Sequence, residues 1–338
     1  MATMKEIAEL AGVSRGTVDR VLNHRGVVNT ETEHKVLEIA ELLEYRPNKA
    51  GIALAAQKKK LKIGVLLFGA ENPFFAEVME GLSQKLEELS IYGCSIIERH
   101  ISFDPKIQLS AIRELEKEGV HGLILSPCND KRIQQKIDQL WDAGIPCITI
   151  NTDLPASKRI AYVGCDDLKC GQTAAGLMKL ITGNHATVGI VTGSHNILSH
   201  EERIRGFVDS LSPASIEIAG IVENDDDDYK SYEAVLALLT EHPDINALYF
   251  TAAGVYGGCR AVLKKEIVPH SVRIITFDAV PSTVEMINAG VISATICQQP
   301  KEQGARSLSL LMDYLLTGAL PDTQLCHLDL SIKIRENL

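Results

Sequence analysis

The chain has 338 residues, 45% of them hydrophobic and 23% charged, and a net charge of −10. That length exceeds one small core and allows two or three domains, and the composition is that of a folded globular protein, neither fibrous nor disordered. The acidity excludes nucleic-acid binding by the surface at large, but residues 1–60 hold ten Lys+Arg against eight Asp+Glu, so a slightly basic head is joined to an acidic body.

In the head, Met4, Ile7, Ala8 and Ala11 recur at helical spacing and predict a short first helix. Gly12 allows a sharp turn, and Ser14 is placed to cap a second helix starting near Arg15. Val18, Val21 and Leu22 then face the first helix, while Arg15, Gly16, Asp19, Arg20 and Asn23 face outward. Thr30 and Glu33 have capping-box spacing and open a third helix with the stripe Val36, Ile39, Ala40 and Leu43, which Pro47 ends near Tyr45. By spacing alone this is an amphipathic helical hairpin or a helix-turn-helix that lays its second helix in a major groove.

Gln57 to Lys60 reads as a polar joint, after which strand and helix patterns alternate to the end. Strand-like runs fall at 62–68, 95–101, 122–126, 146–151, 160–164, 187–192, 216–223, 247–251, 273–277 and 292–297. Helical patterns fall between them at 74–90, 106–118, 130–143, 167–182, 229–241 and 300–317. This predicts an α/β protein with two parallel sheets, hence two Rossmann-like lobes, and a ligand cleft lined by strand-to-helix loops. Asp225 to Asp228 reads as a solvated loop that favours the following helix dipole. Gly254, Gly257 and Gly258 lack the order of a phosphate loop, and no histidine has the company of a nucleophile system. The eight cysteines form no C-x-x-C pair and sit mostly in apolar runs. No catalytic residue, metal or cofactor is expected. With no apolar signal core and no run of about eighteen apolar residues, the expectation is a cytoplasmic protein without a membrane span.

The order T-x-x-x-I-A-x-x-A-G-V-S-x-x-T-V-x-R-V-L-N from Thr3, then V-N-x-x-T from Val28, then Tyr45-Arg46-Pro47-Asn48, resembles the LacI family of bacterial transcription regulators. The resemblance implies a helix-turn-helix domain at 1–47, a hinge helix and linker at 48–60 that becomes helical only on DNA, and a periplasmic-binding-protein-like effector domain at 61–338. Lobe 1 would take about 61–163 and 299–322, and lobe 2 about 164–298 and 323–338. Carried over by position, Arg15 and Gly16 read bases, Arg20 meets a base or phosphate, and Leu54 is an apolar wedge in the minor groove. Further DNA contacts are implied for Thr3, Ser14, Thr17, Asn23, Asn29, Tyr45, Asn48 and Lys49. Asp19 and Glu33 depart from the family pattern and weaken its backbone contacts.

The string Asn72-Pro73-Phe74-Phe75 reads by itself as a helix start with two core aromatics. It also resembles the first-lobe ligand loop of the ribose-binding-protein class, to which the LacI effector domain is related. That likeness implies Asn72 on a sugar hydroxyl and Phe74 and Phe75 on apolar ring faces. Asn151 and Thr152 stand where the class has a charged pair, and Asp153 is expected to supply a carboxylate instead. Arg203 matches a helix-borne fork of N–H groups, Asp278 a strand-end acid and Gln298 a crossover amide. Where the class carries Asn-Asp, this chain has Ala252-Ala253, with Tyr256 or His195 as replacements. The function implied is a non-enzymatic regulator, a repressor, that acts as a homodimer on double-stranded operator DNA and binds a sugar or polyol effector. The competing reading is an α/β small-molecule-binding protein or a nucleotide-using enzyme with a helical partner-binding module.

Overall fold

A computed structural model describes every residue except 1, 23–27, 44, 46–48, 70–71, 213–214 and 266–270. The head is three helices, α1 (Met4–Ala11), α2 (Arg15–Leu22) and α3 (Thr30–Leu42). Their apolar stripes meet as expected: Ile7, Ala8, Ala11, Val18, Val21, Val36 and Ala40 form one small core. Thr3 caps α1 in a reciprocal capping box with Glu6, and Gly12 takes the left-handed conformation of the turn. The cap of α3 is Asn29 and not Thr30: Asn29 accepts from Glu31 N at 2.9 Å, and Thr30 is already the first helical residue. Asn outranks Thr as an N-cap, which moves the start by one residue. Helix α4 (Lys49–Lys59) follows, already helical where the resemblance implied a helix only on DNA, and it absorbs most of the expected polar joint. Its Ala53 and Ala56 are buried, and Gln57 Nε2 donates to Ile91 O at 2.9 Å, which ties its last turns to the body.

The body is two six-stranded sheets. The first contains β1 (Lys62–Phe68), β2 (Ser95–Ile101), β3 (Gly122–Leu125), β4 (Cys147–Ile150), β5 (Ala161–Gly164) and β11 (Leu325–His327), in the order β11-β5-β4-β3-β1-β2. The second contains β6 (His185–Thr192), β7 (Ser215–Glu223), β8 (Ala247–Phe250), β9 (Arg273–Phe277), β10 (Ala294–Cys297) and β12 (Ser331–Lys333), in the order β12-β10-β9-β8-β6-β7. Pairing is parallel except β10 with β12. Near-continuous burial of β1, β3, β4, β5 and β8 follows from helices on both faces. The chain crosses between lobes after β5 and after β10. The third crossing was expected near 322, but Leu325–His327 pairs with Tyr162–Gly164 in the first sheet, so it comes after His327. The run at 325–333 is thus two strands in two sheets, which a single apolar pattern conceals.

In each lobe one helix pair is pressed together at glycines. Helix α5 (Pro73–Glu88) meets α13 (Pro300–Thr317) at Gly81 and Gly304, and α8 (Asp167–Thr182) meets α9 (Leu198–Asp209) at Gly171 and Gly206. A Cβ on Gly171 would lie 2.2 Å from Arg203 O. The close approach sets the guanidinium of Arg203 over the start of α8.

Candidate functional site

Both strand orders reverse at a switch point, β1/β3 in the first sheet and β6/β8 in the second, and there the carboxyl ends of the strands open a crevice. A cavity of about 770 Å³ fills it, lined by loops of both lobes. The first-lobe wall is aromatic. Asn72 caps α5 by accepting from Phe74 N at 3.0 Å, with Pro73 at the first helical position. Phe74 and Phe75 stand edge to face at 5.2 Å, and Phe68 packs on Phe103 at 4.6 Å. The two readings of the Asn72 string are therefore compatible, since the capping residue and both rings line the cavity.

The second-lobe wall is charged and hydrogen-bonded. Arg203 is 3% exposed. Its Nε donates to Asp167 Oδ1 at 2.9 Å, Nη1 to Thr251 O at 2.9 Å and Nη2 to Gln298 Oε1 at 2.5 Å. Its carbon centre lies 4.1 Å over the Phe277 ring. Burial works against its charge, and Asp167 and Asp278 restore it and push its pKa up. Gln298 in turn donates through Nε2 to Asp278 Oδ2 at 2.7 Å, so arginine, amide and acid form one line. Burial raises the carboxyls of Asp167 and Asp278 to about 6 against the pull of Arg203. His200 is held down at about 3 by burial and by Arg203. Its Nδ1 lies 3.0 Å from Ser194 N and 3.2 Å from Ser194 O, which ties the ring to that loop.

Of the expected ligand residues, Asn72, Phe74, Phe75, Asn151, Arg203, Asp278 and Gln298 line the cavity. Thr152 and Asp153 do not. Thr152 Oγ1 accepts from Ser199 N across the lobes at 3.2 Å. Asp153 forms an ion pair with Arg159 at 2.5 Å and also accepts from Thr149 and Leu154 N. A carboxylate saturated inside its own lobe has nothing left for a ligand. His195 is also displaced from the wall, bonded to Glu201 and Glu223, while Tyr256 lines it. Asp225, Asp227 and Asp228 are exposed, as a solvated run before a helix predicts, but the run also borders the cavity, and Asp226 within it is partly buried. The run splits: Asp225 pairs with Lys230, Asp227 caps α10 (Asp228–Glu241), and Asp228 accepts from Gly257 N. Asp167, His200, Phe103 and Asp226 were missed as site residues. The available signal was position, because all but His200 lie within three residues of the carboxyl end of a strand.

In the head, Arg15, Gly16 and Arg20 are exposed on α2. Arg20 Nε donates to Gly16 O at 3.2 Å, and Ser14 Oγ accepts from Thr17 N at 3.1 Å. Thr3, Ser14 and Asn29 all act as caps, which orients exposed helix N-termini. Burial raises the Tyr45 hydroxyl pKa, with Asp19 adding to it and Arg15 opposing. Leu54 is 57% exposed on α4. Asn23, Asn48 and the side chain of Lys49 lie outside the described residues. Among those described, no helix is long and apolar enough to cross a membrane and no His/Cys/Asp/Glu group could hold a metal.

Comparison with known proteins divides the chain at the same place. Residues 3–48 match the family "Bacterial regulatory proteins, lacI family", and residues 63–319 match "Periplasmic binding protein domain". The ribose operon repressor of Haemophilus influenzae is 28% identical over 92% of this chain and 91% of its own length. Catabolite control protein A of Priestia megaterium is 26% identical over 99% of this chain and 98% of its own. Among solved structures, GanP, a glucose-galactose binding protein from Geobacillus stearothermophilus, superposes with a TM-score of 0.75 at 26% identity, covering 82% of this chain and 99% of GanP. A reading head and a binding-protein body, matched end to end by full-length regulators, place the chain in the LacI family of bacterial regulatory proteins.

Proposed function

We propose that the protein is a repressor that binds double-stranded operator DNA as a homodimer in the cytoplasm, has no enzymatic activity, and responds to a sugar or polyol. The cavity carries the effector part of this reading: aromatic rings on one wall face an arginine, an amide and carboxylates on the other. Rings cover the apolar face of a pyranose, and the opposite wall meets its hydroxyls. The relatives named for ribose and for glucose-galactose support the ligand class. Two heads on one dimer demand a near-palindromic site, and lobe closure around the ligand biases the two α4 helices. The test is to identify the co-purified small molecule by mass spectrometry, then titrate it into a dimer–operator complex. A neutral polyhydroxylated compound that changes operator affinity is expected; a monomeric protein, or an operator affinity indifferent to that compound, overturns the reading.

A further inference from the structure

At the end of β8, Ala252, Ala253 and Gly254 bring no polar side chain to the cavity wall. Side chains of the β7–α10 loop reach over to them. Asn224 Nδ2 donates to Ala253 O at 2.9 Å, Asn224 Oδ1 accepts from Asp226 N at 2.9 Å, and Asp226 Oδ1 accepts from Ala253 N at 3.1 Å. An amide and a carboxylate absent from one loop are thus supplied by its neighbour. The loop is fixed: Asp226 has φ 58°, and a Cβ on Gly193 would lie 2.3 Å from Asp226 Oδ1. Among the described residues, nothing donates to the other oxygen, Oδ2. The remaining acids of the run are occupied by Lys230, the α10 backbone and Gly257 N. Among the acids that line the cavity, Asp226 and Asp278 are the two on which Arg203 acts.

We propose that Asp226 contacts the effector and sets its specificity, accepting a hydroxyl of a neutral sugar or polyol and, with Asp278, turning away phosphorylated sugars. This rests on reading the cavity as a sugar site. Surrounding protein pushes the Asp226 carboxyl up to about 7, with Ala253 N, Arg203 and Asp225 the other groups that act on it. A hydroxyl donated to Oδ2 favours the carboxylate, so binding near neutral pH releases protons.

The experiment is calorimetric titration of the full-length protein at pH 7, in two buffers of different ionisation enthalpy. The probes are D-ribose, D-glucose, D-galactose, D-arabinose and myo-inositol, with D-ribose 5-phosphate and D-glucose 6-phosphate as anions. At least one neutral compound is expected to bind with proton release, and the phosphates are not. Asp226→Asn keeps an acceptor for Ala253 N; it should weaken binding about 10–100-fold and abolish most of the proton release. A neutral probe held equally well by Asp226→Asn with unchanged proton release overturns the assignment, as does preferred binding of a phosphate. If no probe binds, the sugar reading itself is wrong and the inference falls with it.

Discussion

Arg203 is committed to Asp167, Thr251 and Gln298 before any ligand arrives, so most of its N–H groups build the wall and the remainder faces the cavity. Breaking a buried ion pair by deleting one partner costs about 3–5 kcal/mol, because the other charge is stranded. Arg203→Ala is therefore expected to lower the urea-unfolding stability of the effector domain by that order, and a change of under about 1 kcal/mol would contradict the geometry. The cleft acids also tie stability to pH. Burial raises Asp226 to about 7 and Asp167 and Asp278 to about 6, so the folded state keeps protons that the unfolded chain has lost above about pH 4. That contribution is complete below about pH 4 and drains away as pH rises through 6 and 7. His200, lowered to about 3, acts in the other direction, since only the unfolded chain takes up its proton once pH falls through about 6.5. With three groups against one, the ligand-free protein should have a higher urea midpoint at pH 6 than at pH 8, and Asp226→Asn should narrow the gap. The reverse order of midpoints would refute the assignment of these carboxyls to a water-poor wall.

Two elements decide whether the walls meet correctly. The contact of α8 with α9 at Gly171 is backbone against backbone, and a methyl there would have to push α9 away and carry Arg203 off Asp167. Gly171→Ala should cost about 1–3 kcal/mol of stability, as overpacking does, and weaken effector binding with it; full stability would show that the helices have slack. The segment from Ser194 to Ser199, which leads into the first turn of α9, is the second such element. Ile197 packs into the first-lobe core although it belongs to the second lobe, Asn129 N donates to Asn196 O at 2.8 Å, and Ser199 N donates to Thr152. This strap joins the lobes beside the cavity, and it gives Thr152 a role in the lobe arrangement in place of the ligand contact expected from sequence.

At the scale of the whole molecule, the proposed function routes the coupling between cleft and DNA through α4. Its Ala53 and Ala56 are buried while Leu54 faces solvent, the posture required of a side chain that enters a minor groove only in the complex. Leu54→Ala should weaken operator binding at least tenfold, since an apolar wedge holds the bend that allows further contacts, and should leave calorimetric effector affinity unchanged. Equal operator affinity in a mobility-shift titration would remove the hinge from the mechanism. Coupling of about 1–3 kcal/mol between the sites gives a roughly 5–150-fold change in operator affinity on effector binding.

The head, the alternation of strands and helices and most of the cleft were legible in the sequence, because each is local. A 3.6-residue stripe, a capping residue or an apolar run carries its meaning within about a dozen residues; Asn72, Asp278 and Gln298 lie at the strand or helix ends that such patterns mark, whereas Arg203 sits inside α9 and was named by the family resemblance. What the sequence left open is where chains far apart meet. Asp153 was bound by Arg159 and Asp226 left open to the cavity by packing that no local pattern encodes, and Leu325–His327 joined the first sheet through a register with Tyr162–Gly164. A carboxylate's role depends on which donors reach its oxygens and how much water remains, and only the tertiary structure brings those donors together.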